Sequence, residues 1–201
     1  MKECKVIKDV SIIVKWELAI RRGIRKGKFT ERQYLFFLLA LGTGLQFEEL
    51  INIKYEDLKL VSRLTNGTGR PKELMYIELP SKFKRRKIRE IIFPDNCKKK
   101  IEELQKKYSD DVYLFQNKSS NMIGKPPAAW TVTFIRNFLV ESAEMGGVPA
   151  ESFGASMLRK SFGYFQLKHG DWSLRDLQRY FEMRSVSLLK KYLDVTDEES
   201  D

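Results

Sequence analysis

Arg159 and Tyr192 are the two residues whose chemistry stands out in the C-terminal stretch FGASMLRKSFGYFQLKHGDWSLRDLQRYFEMRSVSLLKKYL, Phe153 to Leu193. A guanidinium keeps its charge and matches the oxygens of a phosphate with a planar fork of donors. A phenol becomes a nucleophile when nearby cations stabilise the charge that develops on its oxygen. Together they suit a site that grips a phosphate and attacks it. His169 is the only histidine, which argues against a zinc centre or a serine–histidine catalytic pair.

Three short helical patterns must position the pair. Leu158, Phe162 and Phe165 share one face of the first, Leu174, Leu177, Tyr180 and Phe181 one face of the second, and Leu188, Leu189 and Tyr192 one face of the third. Gly170, Asp171 and Ser173 separate the first two. Upstream, Val10 to Ile24 predicts an amphipathic helix that buries Ile13, Trp16, Leu18 and Ile20. Thr30 and Gln33 have capping-box spacing for a strongly apolar helix over Glu31 to Leu41, expected to be the central buried one and ended by Gly42 and Gly44. A short helix follows from Glu48 to Ile53, with Gln46 at its threshold. The runs LKLVSR, ELMYIELP and KIREIIFP predict a three-stranded antiparallel sheet with turns at Asn66–Gly67 and at a very basic segment. Pro94 to Tyr108 and Ala128 to Met145 predict two further helices, the second burying Trp130, Phe134, Phe138 and Leu139, with a polar loop from Gln116 to Lys125 between them. The acidic tail Asp194 to Asp201 is expected to be mobile, leaving residues 1–193 as a single domain.

Three of these pieces, in order, resemble the catalytic domain of the tyrosine recombinases (phage integrases and their relatives). LRK at Leu158 opens a helix and is followed by a Gly-containing turn, a leucine-rich helix and Tyr192. LALGTGLQFEEL, Leu39 to Leu50, is similar to the family's Thr-Gly-Leu-Arg-x-x-Glu-Leu segment, and KFKRRKIREIIFP, Lys82 to Pro94, to its lysine-bearing β-hairpin. The resemblance spans roughly Phe29 to Leu193, without the separate N-terminal DNA-clamping domain that many members carry. It implies an α+β fold, mainly α, and strand cleavage through a phosphotyrosyl intermediate. It places the catalytic residues at Tyr192, Arg159 and Lys84, with Lys82 as the alternative lysine.

The family's remaining catalytic positions are substituted. Gln46 stands for the first arginine, Ser156 for the histidine of the H-x-x-R motif and Met183 for the second histidine, while Glu182 replaces the glycine before it. Gln46 and Ser156 can still donate neutral hydrogen bonds to a phosphate; Met183 cannot. Binding survives such losses better than catalysis, because it draws on many peripheral phosphate contacts. One expectation is therefore a DNA-binding regulator or accessory factor with lost or weak cleavage. The alternative is an active site-specific recombinase, its site altered or completed by a neighbouring protomer. A regulator fits the substitutions, whereas the resemblance alone favours the active enzyme.

Charge agrees with a polyanionic partner. The 201 residues include 37 Lys and Arg against 27 Asp and Glu, a net charge of +10. Candidate contacts to double-stranded DNA are Arg21, Arg22, Arg25, Lys26 and Lys28 at the end of the first helix, Lys82, Arg85, Arg86 and Lys87 in the hairpin, and Lys160 beside Arg159. No apolar run reaches the ~20 residues of a membrane span. Cys4 and Cys97 are isolated thiols without a disulfide framework, which suits a reducing cytoplasm or nucleoid. The expected partners are DNA and copies of this chain or another recombinase assembled on it, with no cofactor or metal. A phage or mobile element is the expected setting.

Overall fold

The computed structural model describes residues 5–64, 71–82, 88–148 and 156–196. Its centre is α2 (Glu31–Thr43), whose run from Tyr34 to Ala40 is buried on every side. A helix apolar all round is stable only when other elements surround it, and α1 (Val10–Arg25), α4 (Asp95–Lys107), α5 (Val132–Met145) and α6 (Met157–His169) pack against it. The capping box forms as its spacing predicts, Gln33 N donating to Thr30 Oγ1 at 3.2 Å and Thr30 N to Gln33 Oε1 at 2.8 Å. Gly44 closes the helix in the left-handed conformation at φ 59°. Aromatic edges knit the core: Trp16 lies 5.1 Å from Phe37, and Phe36 lies 5.4 Å from Phe47 and 5.2 Å from Phe115.

The sheet is antiparallel in the order β1 (Lys59–Leu64), β2 (Pro71–Pro80), β3 (Ile88–Ile92), with Lys59 opposite Tyr76 and Tyr76 opposite Ile92. Met75, Ile77 and Ile91 face the core, whereas β1 is almost wholly exposed. The Asn66–Gly67 turn lies outside the described residues. After α3 (Phe47–Ile51) and α5, the three C-terminal helices are α6, α7 (Leu174–Phe181) and α8 (Val186–Leu193). They gather a second, smaller apolar cluster of Phe162, Leu177, Phe181, Leu189, Leu193 and Val195. Among the described residues the fold is mainly helical, with eight α-helices and this one sheet.

Four local expectations change. Leu18 is 48% exposed, because α1 turns Ile13, Trp16 and Ile20 inward and leaves Leu18 on its outer face. Helix α5 starts at Val132 rather than Ala128. The preceding residues are extended and pair with the 115–117 segment, Trp130 N donating to Phe115 O at 2.8 Å, and Thr131 then caps the helix by accepting from Phe134 N. That later start puts Phe134 on the open side, 43% exposed. Asp194 and Val195 also continue the ordered chain, since Val195 is buried in the smaller cluster and its N–H donates to Lys190 O at 3.1 Å. Residues 197–201 of the acidic tail lie outside the described residues.

Candidate nucleic-acid interface and active site

Arg159 sits in the first turn of α6, 7% exposed, and its guanidinium spans two elements. Nη1 donates to the Gly44 carbonyl at the end of α2, and Nη2 to the Phe181 carbonyl at the end of α7 at 3.3 Å. The guanidinium carbon lies 4.2 Å from the centroid of the Phe181 ring. The Tyr192 ring meets the same Phe181 edge-on, with centroids 6.0 Å apart. Both the cation and the phenol thus contact Phe181. Burial pushes the Arg159 guanidinium below its ordinary value, and the nearby Tyr192 works in the opposite direction.

Gln46 is exposed at the N-terminus of α3, two residues beyond the carbonyl that Arg159 holds. Its own N–H donates to Glu49 Oε2 at 2.8 Å. The other oxygen of Glu49 pairs with Arg89 of β3, whose side chain is 3% exposed and whose Nη1 donates to the Tyr180 carbonyl at 3.3 Å. Tyr180 in turn donates its hydroxyl to Thr43 O at 2.5 Å, and burial pushes its phenol upward. Ser156 is half-buried ahead of α6, and its carbonyl accepts from Lys160 N at 2.8 Å. Met183 packs against the smaller apolar cluster. Glu182 is left-handed at φ 54°, and its carboxylate accepts from the Ser81 hydroxyl and from Lys82 N.

The basic residues fall in separate places. Arg21 donates to Tyr34 Oη at 2.9 Å and pairs with Glu17 at 2.8 Å, near the start of α2. Gly44 is ten residues further along that helix, about 15 Å away at ~1.5 Å per residue, so the Arg21–Lys28 run does not adjoin Arg159. Arg22, Arg25 and Lys26 are exposed there, and Lys28 pairs with Glu141 at 2.8 Å. Lys82 is exposed at the end of β2. Lys160 is only 6% exposed, and its ammonium lies 5.1 Å from the Tyr192 ring centroid. Lys84, Arg85, Arg86 and Lys87 lie outside the described residues.

Sequence reasoning missed the network of Glu49, Arg89, Tyr180 and Phe181. One signal was present: in KIREII, Arg89 lies two residues before Ile91, so strand periodicity puts an arginine on the buried face. A buried arginine demands a partner, and Glu49 is it. Among the described residues no cluster of His, Cys, Asp and Glu could hold a metal ion, and no helix is long and apolar enough to cross a membrane. Burial pushes the Cys97 thiol up to about 12; Cys4 lies outside the described residues.

A mainly helical domain with one three-stranded antiparallel sheet is the architecture of a tyrosine-recombinase catalytic domain. The chain belongs to the phage integrase family, whose model matches residues 19–199. It is 22% identical over 171 residues to the tyrosine recombinase XerC of Caldanaerobacter subterraneus subsp. tengcongensis, covering 85% of this chain and 43% of that protein. Its fold matches the XerH site-specific recombinase bound to palindromic difH substrate in a post-cleavage complex (TM-score 0.67, 19% identity, 96% of this chain and 50% of that one). The XerA recombinase matches equally well (TM-score 0.67, 19% identity, 99% and 62%). A lambda integrase dimer bound to a COC′ core site is more distant (TM-score 0.56, 13% identity, 100% and 51%). The chain therefore spans less than half the length of the curated relative and about half that of XerH.

Proposed function

We propose that this chain binds double-stranded DNA as a regulator or accessory factor of recombination and cleaves strands weakly or not at all. The observation that carries the reading is the state of the one arginine left at the site. Two donors of Arg159 are given to the main-chain carbonyls of Gly44 and Phe181, while Gln46, Ser156 and Met183 stand where the family has an arginine and two histidines. Removing a single preorganised donor from such a site costs about 10²–10³ in rate, and several are changed here, although such losses are not additive. Family membership, the net charge of +10 and the DNA-bound relatives support duplex DNA as the partner. Assembly with further copies or with another recombinase, in a phage or mobile element, belongs to the same proposal.

The second reading is an active recombinase that forms a 3′-phosphotyrosyl intermediate through Tyr192, with Arg159 and Lys84 as its cations. The contact of both Arg159 and Tyr192 with Phe181 favours it. One assay separates the two. On a nicked suicide duplex the unmodified chain shifts the DNA but forms little covalent adduct, and Tyr192→Phe leaves affinity unchanged. Combined Gln46→Arg, Ser156→His and Met183→His raises the adduct yield. Robust adduct from the unmodified chain, abolished by Tyr192→Phe, establishes the second reading instead. Binding falls log-linearly with salt, by about 0.9 in slope per phosphate neutralised, and charge reversal of Lys84, Arg85 and Arg86 flattens that slope.

A further inference from the structure

The outer face of α1 changes character along its length. Val10, Val14 and Leu18 are each about half exposed, and their spacing of four sets them in one row on the helix surface. Rows at this spacing are the ridges by which one helix packs into the grooves of another. Arg21, Arg22 and Arg25 follow Leu18 at three, four and seven residues, so the apolar row runs directly into cations on the same face. There Leu18, Ile24 and Tyr34 line a groove of about 420 Å³, with Arg21, Arg25 and Lys100 of α4 around it. Glu31, the acid in its lining, is paired with Lys100 at 3.3 Å. One ring steadies two of the cations: the Arg21 guanidinium carbon lies 5.2 Å and the Lys100 ammonium 4.9 Å from the Tyr34 centroid.

We propose that this face docks an acidic amphipathic helix of a partner protein, its apolar side over Val10, Val14 and Leu18 and its carboxylates against Arg21, Arg25 and Lys100. The 16 residues of α1 span about 24 Å at ~1.5 Å each, so a facing helix of about four turns covers the row and reaches the groove. Charge selects the partner. The groove sets three cations against one carboxylate that is already paired, which favours Glu or Asp beside the partner's apolar stripe and repels a basic helix. The apolar row argues against duplex DNA here, because a phosphate backbone asks for donors and cations and gives three turns of exposed apolar side chain nothing to pack on. The groove also lies about 15 Å along α2 from the carbonyl that Arg159 holds, so a helix docked there does not occupy the surroundings of the guanidinium. This surface goes beyond the DNA reading and does not depend on it.

The test uses the full chain and a labelled synthetic peptide of about 18 residues, made of Leu, Ala and Glu with the leucines on one helical face. A scrambled peptide of the same composition is the control, and binding is followed by fluorescence anisotropy. The unmodified chain binds the striped peptide about tenfold or more tightly than the scrambled one. Val14→Ser combined with Leu18→Ser, both at exposed positions, keeps Tm and duplex affinity but loses the preference for the stripe. Arg25→Glu weakens the striped peptide about tenfold and Arg25→Lys restores it, which a loss of fold would not allow. Equal binding of the two peptides by the unmodified chain overturns the proposal. So does an Arg25→Glu chain that loses duplex affinity and keeps the peptide, for the face then serves DNA. A dimer of the unmodified chain that the double serine variant dissolves overturns it as well, because the occupant is then a second copy. A chain that binds no duplex but prefers the striped peptide refutes the DNA reading and supports this one.

Discussion

Replacing Arg159 with methionine separates a structural arginine from a purely catalytic one. In the folded chain the guanidinium satisfies the carbonyls of Gly44 and Phe181 and lies against the Phe181 ring. Methionine fills comparable space but donates nothing, and each buried carbonyl left without a donor costs about 1–3 kcal/mol. Loss of the ring contact adds about 1 kcal/mol. Against this, a buried cation no longer has to be stripped of water, which offsets about 1–3 kcal/mol of that loss. The net expectation is a loss of about 2–4 kcal/mol. For a domain of this size that lowers Tm by about 4–16 °C at ~2–4 °C per kcal/mol. Thermal unfolding by circular dichroism measures it, and Arg159→Lys, which can reach one carbonyl but not both, falls between. An unchanged or raised Tm for Arg159→Met would refute the reasoning, for it would mean the arginine is carried at a cost to the fold and kept for phosphate alone.

Gly44→Ala strains the left-handed end of α2 and brings its Cβ to 2.3 Å from Phe162 Cδ1, so the ring must move. Backbone strain and overpacking together cost about 2–4 kcal/mol, read as a lower denaturant midpoint with an unchanged m-value, and wild-type stability would contradict the packing. Tyr34 gives a pH-dependent test: burial, and then the hydrogen bond to Glu17, push its phenol up to about 12. The unfolded phenol titrates near ~10, so the folded state holds the proton more tightly and the contribution is full below pH ~10 and lost as pH rises towards 12. Wild type therefore loses stability more steeply than Tyr34→Phe across that interval in urea titrations, and parallel curves would exclude the effect.

The elements were legible where pattern and cap agreed. Helix α2 announces itself by an apolar run with Thr30 and Gln33 in front and Gly44 behind, and each signal is a local interaction that the folded chain makes. Helix α5 was read too long because the residues before Thr131 are claimed by a pairing with residues 115–117, a contact between segments that no local window contains. At the site, Arg159 and Tyr192 could be singled out by type, and the fold brings both to Phe181. Glu182 could be read only as a replacement for the family's glycine, since its partners Ser81 and Lys82 lie about a hundred residues away in the chain. Lys160 looked like a surface cation for the same reason: the ring it meets belongs to another helix.

The apolar packing is divided, and the division has a kinetic consequence. The larger cluster surrounds α2, while Tyr192 rides on the smaller one of six buried residues at the end of the chain. Segments with few buried contacts open locally at free energies well below that of global unfolding. Two eight-residue helices, α7 and α8, are such a segment. Their opening withdraws the phenol and the Phe181 ring from Arg159 together, leaving α2 and the sheet folded. The placement of the Tyr192 phenol is then governed by a local equilibrium of its own, and substitutions in this terminal unit can displace it while the remainder of the molecule keeps its stability.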